Sequence, residues 1–288
     1  MSELRWHPLL EQWVVISAHR QDRPQMPADW CPFCPGSGRV PDQYEVHLYP
    51  NDFPAFSFDD AASPGACDVV LYSSEHTRLP AELPIEQWEK VVALWTRRTR
   101  ELAADPRVKH VAIFENTGEA VGVTMPHPHG QIYAFPFVPP RVEREMQATA
   151  KHSICAYCGI LADELRDSAR VIAENSGFVC FAPKFARFPY ETLIYSRRHI
   201  AGLTEFSTSE GRALAEMIST IRKKYDALWG APMPLMMMLH QTGHFYVEFL
   251  PLQRSATKLK YLAAVESALG TFLNDVAPED AAAALRAL

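Results

Sequence analysis

Two histidines separated by a single proline, His127-Pro128-His129, followed at once by Gly130 and Gln131, are the residues in this chain best placed to do chemistry. Residues at i and i+2 project to the same face of an extended segment, because strand side chains alternate with period two. Pro128 removes a backbone donor and stiffens the local path. Gly122 and Gly130 flank the pair and leave room for a phosphate to come close. An imidazole held rigidly beside a small anion site suits attack on phosphorus: it is neutral near pH 7, nucleophilic, and able to carry a covalent intermediate. A buried, hydrogen-bonded histidine pair would explain one histidine on an apolar strand. It does not explain the run that also brings Glu115-Asn116 upstream and Gln131 downstream.

Six cysteines stand at 31, 34, 67, 155, 158 and 180. Four of them form two Cys-x-x-Cys pairs, while Cys67 and Cys180 lie in apolar runs and read as small buried hydrophobes. In a reducing compartment such pairs favour metal ligation over disulfides. Each pair also opens a repeated order of features. Cys31-Pro-Phe-Cys34 precedes a strand ending near Tyr72, then His76, a long helix and His127. Cys155-Ala-Tyr-Cys158 precedes a strand ending near Tyr195, then His199, a long helix and His244. The helices show apolar faces at helical spacing: Ile85, Trp88, Val92, Trp95 and Leu102 in one, Leu214, Met217, Ile218, Ile221, Tyr225 and Leu228 in the other. Strand, helix, strand, met twice, predicts an α+β fold with antiparallel sheets, helices packed on them, and the two halves joined into one core. The charged run Arg141 to Lys151 is expected to be helical, so the expected modules are residues 1–145 and 146–288. Each half presents four ligands of the kind tetrahedral Zn²⁺ takes: Cys31, Cys34, His76 and His127, then Cys155, Cys158, His199 and His244.

Phe114-Glu-Asn116-Thr-Gly with Pro126-His-Pro-His129-Gly-Gln131 resembles the signature of galactose-1-phosphate uridylyltransferases, in the histidine-triad superfamily of nucleotidyl transferases and hydrolases. The resemblance runs from about Trp6 to Glu266. It implies two histidine-triad-like modules and a double displacement: His129 takes UMP from UDP-glucose, releasing glucose 1-phosphate, and galactose 1-phosphate then takes UMP from the histidine. The hydrolytic members typically carry a third histidine where Gln131 stands. Glutamine cannot pass a proton but can donate a hydrogen bond to a phosphoryl oxygen, which favours transfer over hydrolysis.

The same resemblance implies roles for other positions. Asn116, Gly122 and Thr124 match places near the nucleotide phosphates, and Arg20 and Arg23 match two phosphate-binding arginines, whose forked geometry suits phosphate. Asn51, Asp52 and Phe53 match the segment that holds uridine and ribose. Lys260 and Glu266 match sugar-binding positions, although Val265 departs from the commoner residue there. In relatives that last stretch completes the site of the other subunit, so a homodimer with shared active sites is implied. The first metal set matches the family's zinc ligands. The second follows the repeat and a zinc-rich branch that includes plant ADP-glucose phosphorylase. Other members hold iron in this half, but Tyr246 stands where one of their histidines would, leaving His240 and Glu145 as alternative ligands.

Composition narrows the partners. With 288 residues, a hydrophobic fraction of 48%, a charged fraction of 22% and a formal charge of −6, this is an ordinary globular chain with no electrostatic footprint for nucleic acid. No apolar run of membrane-spanning length is present, and the opening Met1-Ser-Glu-Leu-Arg-Trp-His has no secretory core, so a cytoplasmic enzyme is expected. Small anionic nucleotide sugars and sugar phosphates are the expected ligands. The competing expectations are an ADP-sugar or dinucleoside-polyphosphate phosphorylase, to which the second cysteine pair lends weight, and a non-catalytic zinc-stapled binding module, which the intact His-Pro-His-Gly-Gln run disfavours.

Overall fold

A computed structural model describes residues 2–23 and 30–288. In chain order the strands and helices are β1 (Glu3–His7), β2 (Gln12–Ile16), β3 (His47–Pro50), β4 (Ala66–Leu71), α1 (Ile85–Ala103), β5 (His110–Thr117), β6 (His129–Phe135) and α2 (Pro140–Thr149). Then come α3 (Ala156–Asp167), β7 (Val171–Glu174), β8 (Phe178–Phe181), β9 (Thr192–Ser196), α4 (Thr208–Trp229), β10 (Leu235–Thr242), β11 (His244–Pro251), β12 (Gln253–Ser255), β13 (Lys258–Leu259), α5 (Ala264–Leu269) and α6 (Pro278–Arg286).

One nine-stranded sheet, ordered β3-β4-β6-β5-β10-β11-β9-β8-β7, runs through both halves with every neighbour antiparallel. The halves meet where β5 pairs with β10, Glu115 opposite Met237. About that seam the order β3-β4-β6-β5 is mirrored by β8-β9-β11-β10, so the duplication is visible in the topology itself. The fold is α+β, as the repeated pattern leads one to expect. The expected module boundary at residue 145 falls inside α2.

The two amphipathic helices behave as their periodicity dictates. Trp88, Val92, Trp95 and Leu102 of α1, and Leu214, Met217, Ile218, Ile221 and Tyr225 of α4, are buried against one face of the sheet. Ser207 caps α4 with its side chain on the Glu210 amide, and Glu210 returns the bond to the Ser207 amide, a reciprocal cap that fixes the start. On the opposite face each half has a smaller apolar cluster under its cysteine pair. One gathers Phe33, Tyr49, Val69 and Leu71, the other Tyr157, Phe181, Leu193 and Tyr195. Cys67 and Cys180 are buried, as expected of small apolar fillers.

Two expectations need correction. Each long helix leads first into a hairpin strand, β5 or β10, before the strand associated with the final histidine, so each half reads strand, helix, strand, strand. An alternating segment directly after a helix reads as one strand from sequence, and only pairing shows two. His127 also lies outside β6, whose first residue is His129. Pro128 can donate nothing to a ladder, so regular pairing begins after it. Both rings nevertheless pack against Phe33, with centroids 6.0 and 5.6 Å away.

Candidate active site and metal centres

The end of β4 and the start of β6 bring the catalytic candidates together. His129 pairs with Leu71, Gln131 with Val69 on one side and Phe114 of β5 on the other. Gly130, between them, has no room for a side chain: a Cβ would collide with the Tyr72 hydroxyl and crowd the Phe114 carbonyl at 3.1 Å. Gly122 is needed for another reason, its left-handed φ of +77°, which turns the chain from Glu119–Val121 into the Thr124 segment.

His129 is half-buried, and its Nδ1 lies 2.7 Å from the His127 carbonyl oxygen. Nδ1–H must be the donor, so the proton sits there and Nε2 keeps its lone pair. Burial lowers the imidazole pKa against the opposing pull of that carbonyl, which favours the neutral nucleophile. The ring opens on a cleft of about 290 Å³ that also holds Gln131, Thr124, Arg23, Asn51, Asp52 and Phe53.

Each of the remaining expected residues has a definite place. Arg23 points Nη2 at the Thr124 hydroxyl, 3.4 Å away. Its guanidinium is disfavoured by burial and by Arg20 nearby, an arrangement that an anion would relieve. Arg20 does not line the cleft but braces it, donating to the Phe53 carbonyl at 3.0 Å. Asn51 Oδ1 accepts from the Phe53 amide at 2.9 Å, a local turn that fixes the loop. Asp52 accepts from the Tyr49 hydroxyl at 2.9 Å and is ion-paired to Arg39. Asn116 lies on a neighbouring cleft of about 190 Å³ on the other side of His129. Lys260 and Glu266 do not join either cleft of this chain. They pair with each other at 2.6 Å in the tail beyond β11.

Sequence reasoning missed Phe33, Tyr49, Arg39 and Trp30, all lining the main cleft. Phe33 was readable only as filler between two cysteines, and nothing local marks Arg39 or Trp30.

Among the described residues, two clusters place four metal-type ligand atoms within 4.8 Å of one another: Cys31, Cys34, His76, His127 and Cys155, Cys158, His199, His244. In the first, Cys34 Sγ is 3.3 Å from His76 Nδ1 and 3.8 Å from His127 Nδ1. In the second, Cys158 Sγ is 3.5 Å from His199 Nδ1 and 3.6 Å from His244 Nδ1. A tetrahedron with Zn–S and Zn–N bonds of ordinary length has such edges, about 3.3 to 3.8 Å. The outer contacts repeat as well. His127 Nε2–H donates to the Ser73 carbonyl at 2.7 Å, and His244 Nε2–H to the Ser196 carbonyl at 2.9 Å, leaving both Nδ1 atoms as ligands. Burial and the neighbouring thiol push the Cys31 and Cys158 thiols up to about 11, a shift that a cation held by the cluster would reverse by favouring the thiolates. The donor set fits a divalent metal.

The alternative ligands in the second half are engaged elsewhere. His240 stacks on Tyr246, centroids 4.1 Å apart, and bonds Glu248 at 3.2 Å. Glu145 accepts from the Tyr246 hydroxyl at 2.9 Å and from Arg141. Neither reaches the cysteines.

No helix is long and apolar enough to cross a membrane among the described residues. Family models for galactose-1-phosphate uridyl transferase match the chain twice, the N-terminal domain over residues 41–139 and the C-terminal domain over 146–288. A galactose-1-phosphate uridylyltransferase of Thermotoga maritima is 39% identical, with 99% of this chain and 98% of that one covered. A solved uridylyltransferase superposes with a TM-score of 0.92 at 31% identity, covering 99% of this chain and 98% of the other. The crystal structure of an ADP-glucose phosphorylase from Arabidopsis thaliana with bound ADP-glucose shares the fold, TM-score 0.77 at 24% identity, covering 100% and 99%.

Proposed function

The chain belongs to the galactose-1-phosphate uridylyltransferase family, and from that premise we propose how its residues move UMP from UDP-glucose to galactose 1-phosphate. His129 Nε2 attacks the α-phosphorus of UDP-glucose. The P–O bond to glucose 1-phosphate breaks, the leaving oxygen keeps the electron pair, and Nδ1–H stays on the His127 carbonyl. Galactose 1-phosphate then attacks the same phosphorus and restores the free imidazole. Gln131 donates its amide hydrogen bond to a phosphoryl oxygen, and Arg23, beside Thr124, offsets its charge. Asn51, Asp52 and Phe53 form the uridine and ribose end, Asp52 being oriented by Tyr49 and Arg39. Asn116 and Gly122 border the phosphate end.

The observation that carries this reading is the fixed tautomer of His129 at the mouth of a cleft lined with arginine, threonine and glutamine. Both Cys₂His₂ sets fit zinc as a structural ion. Bound at the first, it would hold His127 and hence the carbonyl that orients His129.

Exposed apolar surface on the β1–β2 hairpin (Trp6, Leu9, Leu10, Trp13) and on the tail (Tyr261, Leu262, Leu269) supports a homodimer. In that dimer Lys260 and Glu266 complete the partner's cleft. The two modules are residues 1–145 and 146–288, sharing one sheet. Four metal-type thiols suit a reducing cytoplasm.

The deciding experiment mixes the pure protein with UDP-glucose, then separately with ADP-glucose, and weighs intact protein and its His129 peptide. A UMP adduct on His129 is expected. An AMP adduct in its place would make the protein an ADP-sugar phosphorylase, the reading that the second Cys₂His₂ set favours. No adduct with either sugar would remove the covalent mechanism.

A further inference from the structure

One charged pair lies where stability alone gives no reason for it. Glu115 on β5 and Arg222 on α4 are 1% and 3% exposed, and Arg222 Nη2 donates to Glu115 Oε1 at 2.8 Å. Burying such a pair carries a desolvation penalty, and well-packed apolar replacements are often neutral or stabilising. Thr117 joins it, donating its hydroxyl to Glu115 Oε1 and accepting from Arg222 at 2.9 Å. Glu115 Oε2, Arg222 Nη1 and the Tyr72 hydroxyl are buried nearby and take no hydrogen-bond partner among the described residues.

This polar island lies directly beneath the nucleophile. Phe114, the residue before Glu115, pairs with Gln131. The Tyr72 hydroxyl fills the space over Gly130, and the Tyr72 amide donates to the Pro128 carbonyl at 3.0 Å. Glu115 and His129 line the same small cleft of about 190 Å³.

We infer that Glu115, fixed by Arg222 and Thr117, is a positioning residue for the transfer reaction: it seats the Pro128–Gln131 segment from beneath and sets a carboxylate on the helix side of the strand whose imidazole turns cationic. The inference rests on His129 being the nucleophile. As the N–P bond forms and the P–O bond to the leaving sugar phosphate breaks, the leaving oxygen takes the electron pair. The ring, still holding its Nδ1 proton, gains positive charge. A carboxylate already fixed in a dry setting stabilises that charge without reorganisation.

Glu115→Gln keeps the shape and removes the charge. In single-turnover labelling with UDP-glucose, adduct formation on His129 is expected to slow roughly 10- to 100-fold. Affinity for UDP-glucose, compared by calorimetry in the inert His129→Ala background with and without Glu115→Gln, is expected to change by less than about twofold. Glu115→Asp should recover part of the rate. A Glu115→Gln rate within about twofold of the parent overturns the inference, and so does an equal loss of rate and affinity, which marks a structural role only. If Glu115→Gln does not fold, the apolar double variant Glu115→Leu, Arg222→Met is judged by the same two outcomes. A parent that itself forms no adduct sinks the reading of His129. A labelled parent matched by an equally fast Gln variant sinks this inference alone.

Discussion

The clefts on the two halves of the sheet sit at matching places and differ in what they can do. In the first half Phe33 of the cysteine turn, Phe53 from the loop after β3, His129 and Gln131 surround about 290 Å³. In the second, Tyr157 of the cysteine turn, Phe185 from the loop after β8, Tyr246 and Glu248 surround about 440 Å³. The frame is common: a Cys₂His₂ cluster, a serine carbonyl orienting the last histidine, and a strand leaving that histidine toward the cleft. The filling differs. Where the first half has an imidazole with a bare Nε2, the second has a phenol bonded to Glu145. Where the first has a neutral amide, the second has a buried carboxylate clamped by Arg141 at 2.6 Å and Arg187 at 2.6 Å. The larger cleft is therefore the more self-satisfied one: its phenol and carboxylate bond to neighbouring side chains, while in the first half the His129 Nε2 faces the cleft.

The sharpest way to break the comparison is to exchange the residues at the two key places. His129→Ala should lower transfer by at least about 10,000-fold, as loss of a covalent nucleophile does elsewhere. Tyr246→Phe should leave steady-state transfer per folded molecule near the parent value. Metal content and nucleotide-sugar affinity should survive both changes. Near-normal transfer by the Ala variant would mean that the nucleophile lies elsewhere.

The next pair sharpens the contrast at the neighbouring position. Gln131→Ala should slow nucleotidylation roughly 10- to 1000-fold if oxyanion-donor precedents transfer. Glu248→Ala should leave the rate per folded molecule intact but strip the countercharge from Arg141 and Arg187 and the partner from His240, a loss of about 1 to 3 kcal/mol because the two guanidiniums stay partly in water. Denaturant melts alongside rapid-quench rates would separate the two effects. A Glu248→Ala enzyme that is stable but slow would show that the second cleft takes part in the reaction.

The metal centres give a third test. Elemental analysis should find close to two metal ions per chain. Cys34→Ser should depress both Tm and turnover, because the segment under His129 loses its anchor and small misplacements of a catalytic group are expensive. Cys158→Ser should lower Tm with little change in turnover per folded molecule. A single ion per chain, or iron in the second half, would show that the clusters are not equivalent.

The smallest expected effect is the acid sensitivity that Glu248 contributes. Burial pushes the Glu248 carboxyl up, but hydrogen bonds from His240 and Arg141 outweigh it and hold the group well below the usual carboxylate range. A depressed folded pKa stabilises above the ordinary glutamate value near 4.3 and is lost as pH falls through the folded value. Stability should therefore decline below about pH 4, and Glu248→Gln should flatten that decline. Urea titrations of parent and variant at pH 6 and pH 3.5 would check it, and parallel declines would remove Glu248 as the cause.

The residues that make the two halves alike were legible in the chain, because metal ligation and helix burial leave short-range marks. Cysteines three apart with histidines well downstream, met twice, point to the same four donors that the structure gathers in each half. The apolar stripes of α1 and α4 identify their buried faces because a helix repeats its environment every turn. The strands β5 and β10 were not separable, since strand identity depends on a partner that lies far away in sequence. Asp52 could be marked as a polar candidate, but that Tyr49 and Arg39 hold its carboxylate depends on a loop closing back on itself.

By itself the sequence determined the donor chemistry, the duplicated order of features, and the presence of Tyr246 where relatives carry a histidine, because each is a matter of residue type and spacing. Only the tertiary structure decided which nitrogen of His129 carries the proton, since the His127 carbonyl must first be turned toward the ring by the packing of β4 against β6. It alone decided that Lys260 and Glu266 bond each other, and that Glu115 meets Arg222 beneath Gly130. The last of these joins residues far apart in the chain, the other two join near neighbours, and burial fixes all three: a polar group withdrawn from water must find its partner wherever the fold has placed one.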